Sequence, residues 1–260
     1  MKISVCCPSY KRPRVETLDY LPFCQVYVCE TEYDSYIKAN KGYEDNIIPC
    51  KKGIQGNVGR IRNHILDTEF NNGADVVCIV DDDLKNIESF EVNGTFGYER
   101  KVVKADEFVD FVDFYSSICQ QMGYKLWGVN CNSDALSYRH YTPFCTTTFI
   151  GGPFSVHLKN DIRYDEALPL KEDYDLTLQH MNKYRGALRV QKYHYNCKQS
   201  VQAGGCATYR SMMREKEQFE LLQSKWGSEI VRYDSSKRKG ATKEKMFDYN
   251  PIIKVPIKGV

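Results

Sequence analysis

The sequence predicts an α/β fold in which an open sheet presents a nucleotide site at the carboxyl ends of its strands, and three observations predict it. Val76-Val77-Cys78-Ile79-Val80 is an unbroken apolar run rich in β-branched residues, the pattern of a strand buried on both faces. It stops abruptly at Asp81-Asp82-Asp83. Before it come two shorter strand-and-turn units, residues 2–7 ending in Pro8-Ser9-Tyr10-Lys11-Arg12-Pro13 and residues 25–29 ending in Glu30-Thr31-Glu32. Ligands of open α/β sheets bind outside the carboxyl ends of the strands, where these polar turns fall.

The acid turn carries the most chemistry. Consecutive like charges repel and resist desolvation, so a buried strand has no packing use for them. A hard divalent cation, Mn²⁺ or Mg²⁺, relieves the conflict, because it takes carboxylate oxygens and keeps positions open for phosphate. A solvated acidic turn or a helix N-cap is the other reading of the same three residues.

Composition sets bounds. The 260 residues allow one large domain or two small ones. With 42% hydrophobic and 27% charged residues the chain is ordinary for a globular protein, and a net charge of +2 makes no global case for nucleic acid. Its 19 tyrosines suit a sugar or base pocket or simple half-burial. The eleven cysteines contain no Cys-x-x-Cys pair, which argues against a zinc cluster and for free thiols in a reducing compartment. Met1-Lys2-Ile3-Ser4-Val5 runs straight into a strand without a secretory pattern, and no window is long enough to span a membrane. A cytoplasmic location with no membrane partner is expected.

Taken in order, residues 2–7 are a first strand whose Ser, Lys and Arg turn can cradle a nucleotide or be a plain surface loop. Residues 25–29 are a second strand, where Glu30 is placed to accept from a ribose hydroxyl or a base edge. Residues 34–40 suit a short helix and 47–49 a third strand. Gly53-Ile54-Gln55-Gly56-Asn57-Val58-Gly59 leads into a helix with Ile61, Ile65 and Leu66 on one face; Arg60 and Arg62 near its start would welcome phosphate. No Walker A lysine follows the glycines. Residues 88–101 read as a hairpin turning at Asn93-Gly94. Residues 105–122 form an amphipathic helix with Phe108, Val109, Val112, Tyr115 and Ile118 inward and Asp106 as its cap. Residues 125–129 and 144–150 are strands, and Gly151-Gly152 after the second allows a ligand close to backbone. Glu172-Asp173 opens a helix through Tyr184, as dipole-complementing caps or as a catalytic base. Residues 187–195 are a late strand carrying His194, a structural residue or a metal ligand. Residues 198–205 are a polar, glycine-ended loop able to close over a nucleotide. Residues 209–226 are a helix. From Tyr209 on, twelve Lys/Arg face seven Asp/Glu, with a basic cluster at 237–245 that is solvated or meets a phosphate polymer.

These elements fall in the order of one family. The chain resembles a GT-A-fold glycosyltransferase, with a GT-A-like, Rossmann-type nucleotide-binding sandwich on a mixed central sheet. The resemblance implies nucleotide contacts from Pro8, Ser9, Tyr10, Arg12 and Glu30. Gly59-Arg60-Ile61-Arg62-Asn63 is similar to the family's element of a glycine followed by Arg-Asn along the donor, involving Arg62 and Asn63. Val80-Asp81-Asp82-Asp83 looks like the Asp-x-Asp motif, which implies Asp83 on the metal, Asp81 on ribose or metal and Asp82 beside the donor, with Gly151 and Gly152 nearby. Glu172-Asp173 is similar to the motif whose Asp is the base of inverting members, and His194 falls where many members carry a late metal-binding His. Cys7-Pro8-Ser9-Tyr10-Lys11-Arg12-Pro13, Arg60-Ile61-Arg62-Asn63 and Lys198-Gln199-Ser200-Val201-Gln202-Ala203-Gly204-Gly205 further resemble the TET-associated glycosyltransferases of bacteriophages. That implies sugar transfer, UDP-sugar the expected donor, to 5-hydroxymethylcytosine in double-stranded DNA. Residues 1–205 would form the transferase domain, with a nucleotide half to about 85 and an acceptor half from 86. Residues 206–260 would pack on it as a helix and basic tail.

Transfer to a glycan, a nucleotidyltransferase of related fold and a non-catalytic DNA-binding module are the alternatives. The first lacks the Gln-x-x-Arg-Trp of processive enzymes, the second a glycine-rich, lysine-bearing loop near the N-terminus. The third leaves the acid cluster without a use.

Overall fold

The computed structural model describes residues 1–93, 97–197, 204–234 and 249–257. In chain order the elements are β1 (Ile3–Pro8), α1 (Thr17–Tyr20), β2 (Gln25–Cys29), α2 (Tyr33–Ala39), β3 (Ile47–Cys50), α3 (Val58–Asn71) and β4 (Val76–Val80). Next are β5 (Leu84–Asn93), β6 (Gly97–Val102), α4 (Phe108–Gln121), β7 (Leu126–Asn130), β8 (Phe144–Cys145) and β9 (Phe154–Leu158). The chain closes with α5 (Glu172–Tyr184), β10 (Leu188–Cys197), α6 (Met212–Trp226), β11 (Val231–Tyr233) and β12 (Pro251–Ile253).

Among the described residues one ten-stranded sheet runs β3-β2-β1-β4-β9-β7-β10-β5-β6, with β8 on β10. β1 pairs in parallel with both β2 and β4, and β2 with β3. β9 is antiparallel to β4 and β7, and β5 is antiparallel to β10 and β6. The sheet is therefore mixed. The chain winds from β1 outward to β3 and returns to the other side of β1 at β4. That reversal opens a crevice beyond the carboxyl ends of β1 and β4.

Strand alternation explains the layers. Val76, Cys78 and Val80 point to the face covered by α4, in one core with Phe108, Phe111, Trp127 and Phe154. Val77 and Ile79 point to the opposite face, in a core with Ile61, Ile65 and Leu66 of α3. Both faces are covered, so the run carries no polar residue. Pro49 lies in β3, an edge strand, where its missing N–H costs no ladder bond. All eleven cysteines are free thiols and seven are buried, as the expected packing role requires. No helix among the described residues is long and apolar enough to cross a membrane.

Several expectations need correction. The strand expected over 144–150 is only Phe144–Cys145, paired antiparallel with Val190 and Arg189; β10 begins at Leu188, so past one further bond, Ala187 N to the Thr146 carbonyl at 3.1 Å, it has no strand to follow. The helix at 105–122 opens with a 3₁₀ turn, Ala105–Glu107, and Glu107 rather than Asp106 caps it, accepting from the Lys104 N–H at 3.3 Å. β9 went unread although it is wholly buried between β4 and β7. Gly94 of the expected turn, residues 198–203 of the polar loop and the basic cluster at 237–245 lie outside the described residues.

α6 is tied to α5 through Asp175, which has no exposed surface. Asp175 accepts from Trp226 Nε1 at 2.7 Å, Gln179 Nε2 at 2.7 Å and Lys225 Nζ at 2.9 Å. Lys225 is a third exposed and keeps Asp165 at 2.7 Å, so removing Asp175 chiefly strands the Trp226 N–H, at about 1–3 kcal/mol. Asp175→Ala is expected to lose stability of that order in urea denaturation and to expose residues after 209 to protease first. A loss under 1 kcal/mol would show that the apolar contacts of Leu178, Phe219 and Leu222 hold α6 without it.

His180 and His157 are buried on the face opposite α4, and burial pushes both pKa values down, His180 to about 4. His180 Nε2 has no hydrogen-bond partner among the described residues. A depressed histidine leaves stability intact above its unfolded value, 6.5, and withdraws it as pH falls towards the folded value. His180 alone is expected to cost about 1.4 kcal/mol per pH unit between 6.5 and 4. The difference in urea stability between wild type and His180→Phe should therefore move in favour of the variant across that window. A difference independent of pH would refute the assignment.

Candidate functional site

The crevice at the switch between β1 and β4 is a cleft of about 840 Å³. One wall is the loop leaving β1. Ser9, buried, donates from Oγ to Asp82 Oδ2 at 2.6 Å and sits 3.0 Å from the Tyr36 hydroxyl. Arg12 Nη1 donates to Asp82 Oδ1 and lies 3.7 Å from Asp83 Oδ2. Both oxygens of Asp82 are thus occupied in holding this loop. The acid turn itself is stapled from below by Thr17, whose hydroxyl donates to the Asp81 carbonyl at 2.6 Å and accepts from Leu84 N at 3.0 Å.

The second wall is the start of α3. Asn57 caps the helix by accepting from Arg60 N at 3.1 Å, and one turn in, Arg62 points inward with 2% of its surface exposed. Arg62 Nη2 bonds Asp81 Oδ1 at 3.0 Å and the Gly152 carbonyl at 3.2 Å, and Nη1 bonds Glu172 Oε1 at 3.1 Å. Its Nε has no partner among the described residues. Burial works against this charge, but Tyr164, Asp81, Glu172 and Asp173 outweigh it and the guanidinium stays charged.

The third wall is the first turn of α5 with the Gly151-Gly152 bend. Asp173 Oδ1 accepts from Tyr174 N at 2.8 Å. Its Oδ2 faces Gly152, where a Cβ would come within 3.3 Å of it and 3.8 Å of Arg62 Nη2. A Cβ on Gly151 would meet Cys131 Sγ at 2.5 Å. Both glycines are there for space, as the sequence suggested. Burial raises Glu172 and Asp173 above ordinary carboxyl values; their mutual repulsion raises Glu172 further, and Arg62 pulls both back down.

Burial likewise raises Asp82 and Asp83, each to about 6, with Arg12 opposing. Among the described residues, six carboxylates line the cleft (Asp81, Asp82, Asp83, Glu172, Asp173, Glu215) against four cations (Arg12, Arg62, Lys171, Arg210). Acids outnumber cations there, and a divalent cation would lessen their mutual repulsion. No three His, Cys, Asp or Glu side chains among the described residues are grouped to enclose an ion alone. The donor set therefore fits an ion held by one or two carboxylates that completes its shell with phosphate oxygens. Asp83 and Asp81 are the two whose oxygens are not both committed to the β1 loop.

Pro8, Ser9, Tyr10, Arg12, Arg62, Asp81, Asp82, Asp83, Gly151, Gly152, Glu172 and Asp173 all line this cleft. Three expected residues do not. Glu30 stands at the end of β2 and accepts from Lys52 N at 2.9 Å. Asn63 clamps the chain at Tyr164, donating to its carbonyl at 2.9 Å and accepting from its N–H at 2.7 Å. His194 is fully buried against Phe90, ring centroids 4.7 Å apart, with Nε2 3.5 Å from Glu88. The β10 residue that lines the cleft with the acid turn is Cys197, and burial together with the nearby Asp81 and Asp83 pushes its thiol pKa up. β10 shifts register between Val190 and His194 and again between Asn196 and Cys197, which no sequence pattern foretells.

The sequence reading also missed Thr17, Gln55, Lys171, Tyr195 and the segment entering α6. Gln55 donates to the Tyr27 carbonyl at 2.9 Å and so holds the glycine loop on β2. Phe149 stacks on Tyr174, centroids 3.9 Å apart and planes at 12°, beside Asp173. Gly204, at φ +99, packs on the Lys11 carbonyl where a Cβ would come to 2.7 Å, and Gly205 N donates to the Tyr10 carbonyl at 2.8 Å. This join brings Cys206, Tyr209 and Arg210 over the cleft.

Comparison with known proteins agrees with this architecture. The sequence matches no family model and no curated protein. Among solved structures, glucosyl-3-phosphoglycerate synthase from Mycobacterium tuberculosis in complex with Mg²⁺ and UDP matches at a TM-score of 0.50 and 10% identity, over 90% of this chain and 84% of that one. The same enzyme with Mn²⁺, UDP-glucose and phosphoglyceric acid matches at 0.50 and 11%, over 90% and 83%. S. aureus TarS 1–349 matches at 0.48 and 16%, over 86% of this chain; the chain spans 65% of that fragment. The fold is GT-A-like, a Rossmann-type sandwich on a mixed central sheet.

Proposed function

We propose, starting from the GT-A-like fold, that this protein is a metal-dependent glycosyltransferase that moves a sugar from a nucleoside-diphosphate sugar, UDP-sugar first, to a hydroxyl with inversion. The observation that carries the reading is the Arg62 guanidinium, which joins the acid turn after β4 to the Glu172-Asp173 turn of α5. It brings a phosphate-and-cation site and a carboxylate base into one buried frame. Mn²⁺ or Mg²⁺ held by Asp83 and Asp81 would supply Lewis-acid stabilisation of the leaving diphosphate; the fold's solved neighbours carry these ions with UDP or UDP-glucose.

The chain's own residues do the rest. Ser9, Tyr10 and Pro8 line the end of the cleft where the nucleoside would lie. Arg62 and Arg12 bring fixed positive charge to the diphosphate, preorganised by Asp81, Glu172 and Asp82. Asp173 takes the acceptor proton through Oδ2. The acceptor oxygen forms a bond to the anomeric carbon from the face opposite the leaving group. The bond from that carbon to the phosphate oxygen breaks, and its electron pair leaves with the nucleoside diphosphate. A primary alcohol needs such a base near neutral pH. Glu172, held by Arg62, orients the guanidinium and does not reach substrate.

The acceptor we propose is 5-hydroxymethylcytosine in phage double-stranded DNA, on the resemblance of residues 7–13, 60–63 and 198–205 to the TET-associated enzymes. Its base must leave the stack or be reached edge-on. Incubation with UDP-glucose, Mn²⁺ and hydroxymethylated duplex, followed by nucleoside mass spectrometry, should find one hexose added. No gain with any common nucleotide sugar would overturn the DNA acceptor. Release of pyrophosphate in place of UDP would overturn sugar transfer itself.

A further inference from the structure

The charges of the cleft are not evenly spread. Between the acid turn after β4 and the first turn of α5, Arg12 and Arg62 face five carboxylates. At the opposite end, Lys171 and Arg210 both pair with Glu215. Among the described residues, that is the end of the cleft where cations outnumber acids. Lys171 is buried to 1% exposure, yet it bonds Glu215 through Nζ and immediately precedes Glu172-Asp173. Arg210 comes from the far side of the cleft. Its Nε lies 2.9 Å from Glu215 Oε1, its side chain is 46% exposed, and its terminal nitrogens make no hydrogen bond among the described residues. A planar guanidinium with open N–H groups beside an ammonium is the donor set that recognises phosphate.

We propose that Lys171 and Arg210 form an anion subsite that receives a phosphate group of the acceptor, with the Glu215 carboxylate holding the two cations ready until that group arrives. The subsite adjoins the base: the Lys171 charge bears directly on Asp173. An acceptor whose phosphate lies a few bonds from its reacting hydroxyl would be anchored at one end and deprotonated at the other. This chemistry covers a small phosphorylated alcohol and a phosphodiester of a polynucleotide alike. It rests on the glycosyl-transfer reading for the word acceptor; the subsite itself does not.

Because Glu215 competes with the incoming anion, the variants have opposite signs, which a purely structural salt bridge would not produce. Calorimetric titration of the full chain with inorganic phosphate, in UDP and Mn²⁺ so that the donor end is filled, should give roughly tenfold weaker binding for Arg210→Gln. It should give several-fold tighter binding for Glu215→Gln. Both variants should keep the wild-type affinity for UDP with Mn²⁺ and the wild-type near-UV circular dichroism. Phosphate affinity unmoved by Arg210→Gln, or weakened by a folded Glu215→Gln, overturns the proposal. Failure of UDP to bind wild type would sink the donor reading and leave the phosphate titration, run without UDP, to decide the subsite by the same opposite signs. Titration of glycerol phosphate beside a short duplex separates the sources. Dependence on Arg210 for the monoester alone assigns a small acceptor, and for the duplex alone a nucleic acid. Dependence for neither overturns the subsite.

Discussion

Asp173→Asn is expected to lower the turnover number by about a thousandfold, within the 10²–10⁴ range of a lost general base, and to leave UDP affinity within twofold of wild type. Asn is nearly isosteric and its Oδ1 can still accept from Tyr174 N, so the first turn of α5 stays formed. The Arg62 bonds to Asp81 and Glu172 do not involve Asp173, so the diphosphate end keeps its charge. Glu172 cannot take over, because its Oε1 is held by Arg62 and only 8% of the residue is exposed. Single-turnover rates with UDP titrations on the same protein check this. Equal losses in rate and UDP binding would move Asp173 to the donor. A rate within tenfold of wild type would leave the proton to water.

The paired substitution Asp81→Ala, Asp83→Ala is expected to abolish the gain in UDP affinity that Mn²⁺ brings, a loss of about a hundredfold or more, since two carboxylates are the protein's share of the ion's shell. The same change should not weaken UDP binding in EDTA. Arg62 loses its Asp81 partner and Arg12 its Asp83 neighbour, so both guanidiniums turn more of their charge to the diphosphate. The two conditions thus separate a cation site from general acidity. Calorimetry with and without Mn²⁺ reads both, and a variant that keeps the metal-dependent gain refutes the site.

Much of this frame was legible because it is written locally. Val76–Val80 reads as buried on both faces because neither face holds a polar residue, and α3 and α4 each carry an apolar stripe at helical spacing. The turn residues after β1 and β4 announce themselves by charge. β9 escaped notice because Ser155 and His157 interrupt its apolar run; they are tolerated because they bond each other at 3.1 Å and His157 meets the Tyr164 hydroxyl at 3.2 Å. β11 and β12 are too short and too far apart in sequence to signal a pair. Asp175 reads as one more acid at a helix start, yet its partners lie on α6.

The amino-acid order alone determined the kind of chemistry here: three acids at the mouth of an apolar strand, arginines opening a helix, a carboxylate pair opening another. Residue type and spacing encode an element and the charge it carries. Only the tertiary structure decided which charges meet. It gave Asp82 to Arg12 and Ser9, set Arg62 between Asp81 and Glu172, brought Cys197 rather than His194 into the cleft, and placed Arg210 across from Lys171. Those pairings join residues far apart along the chain, and they depend on strand register and helix docking, which side-chain packing across the whole sheet selects and no local window contains.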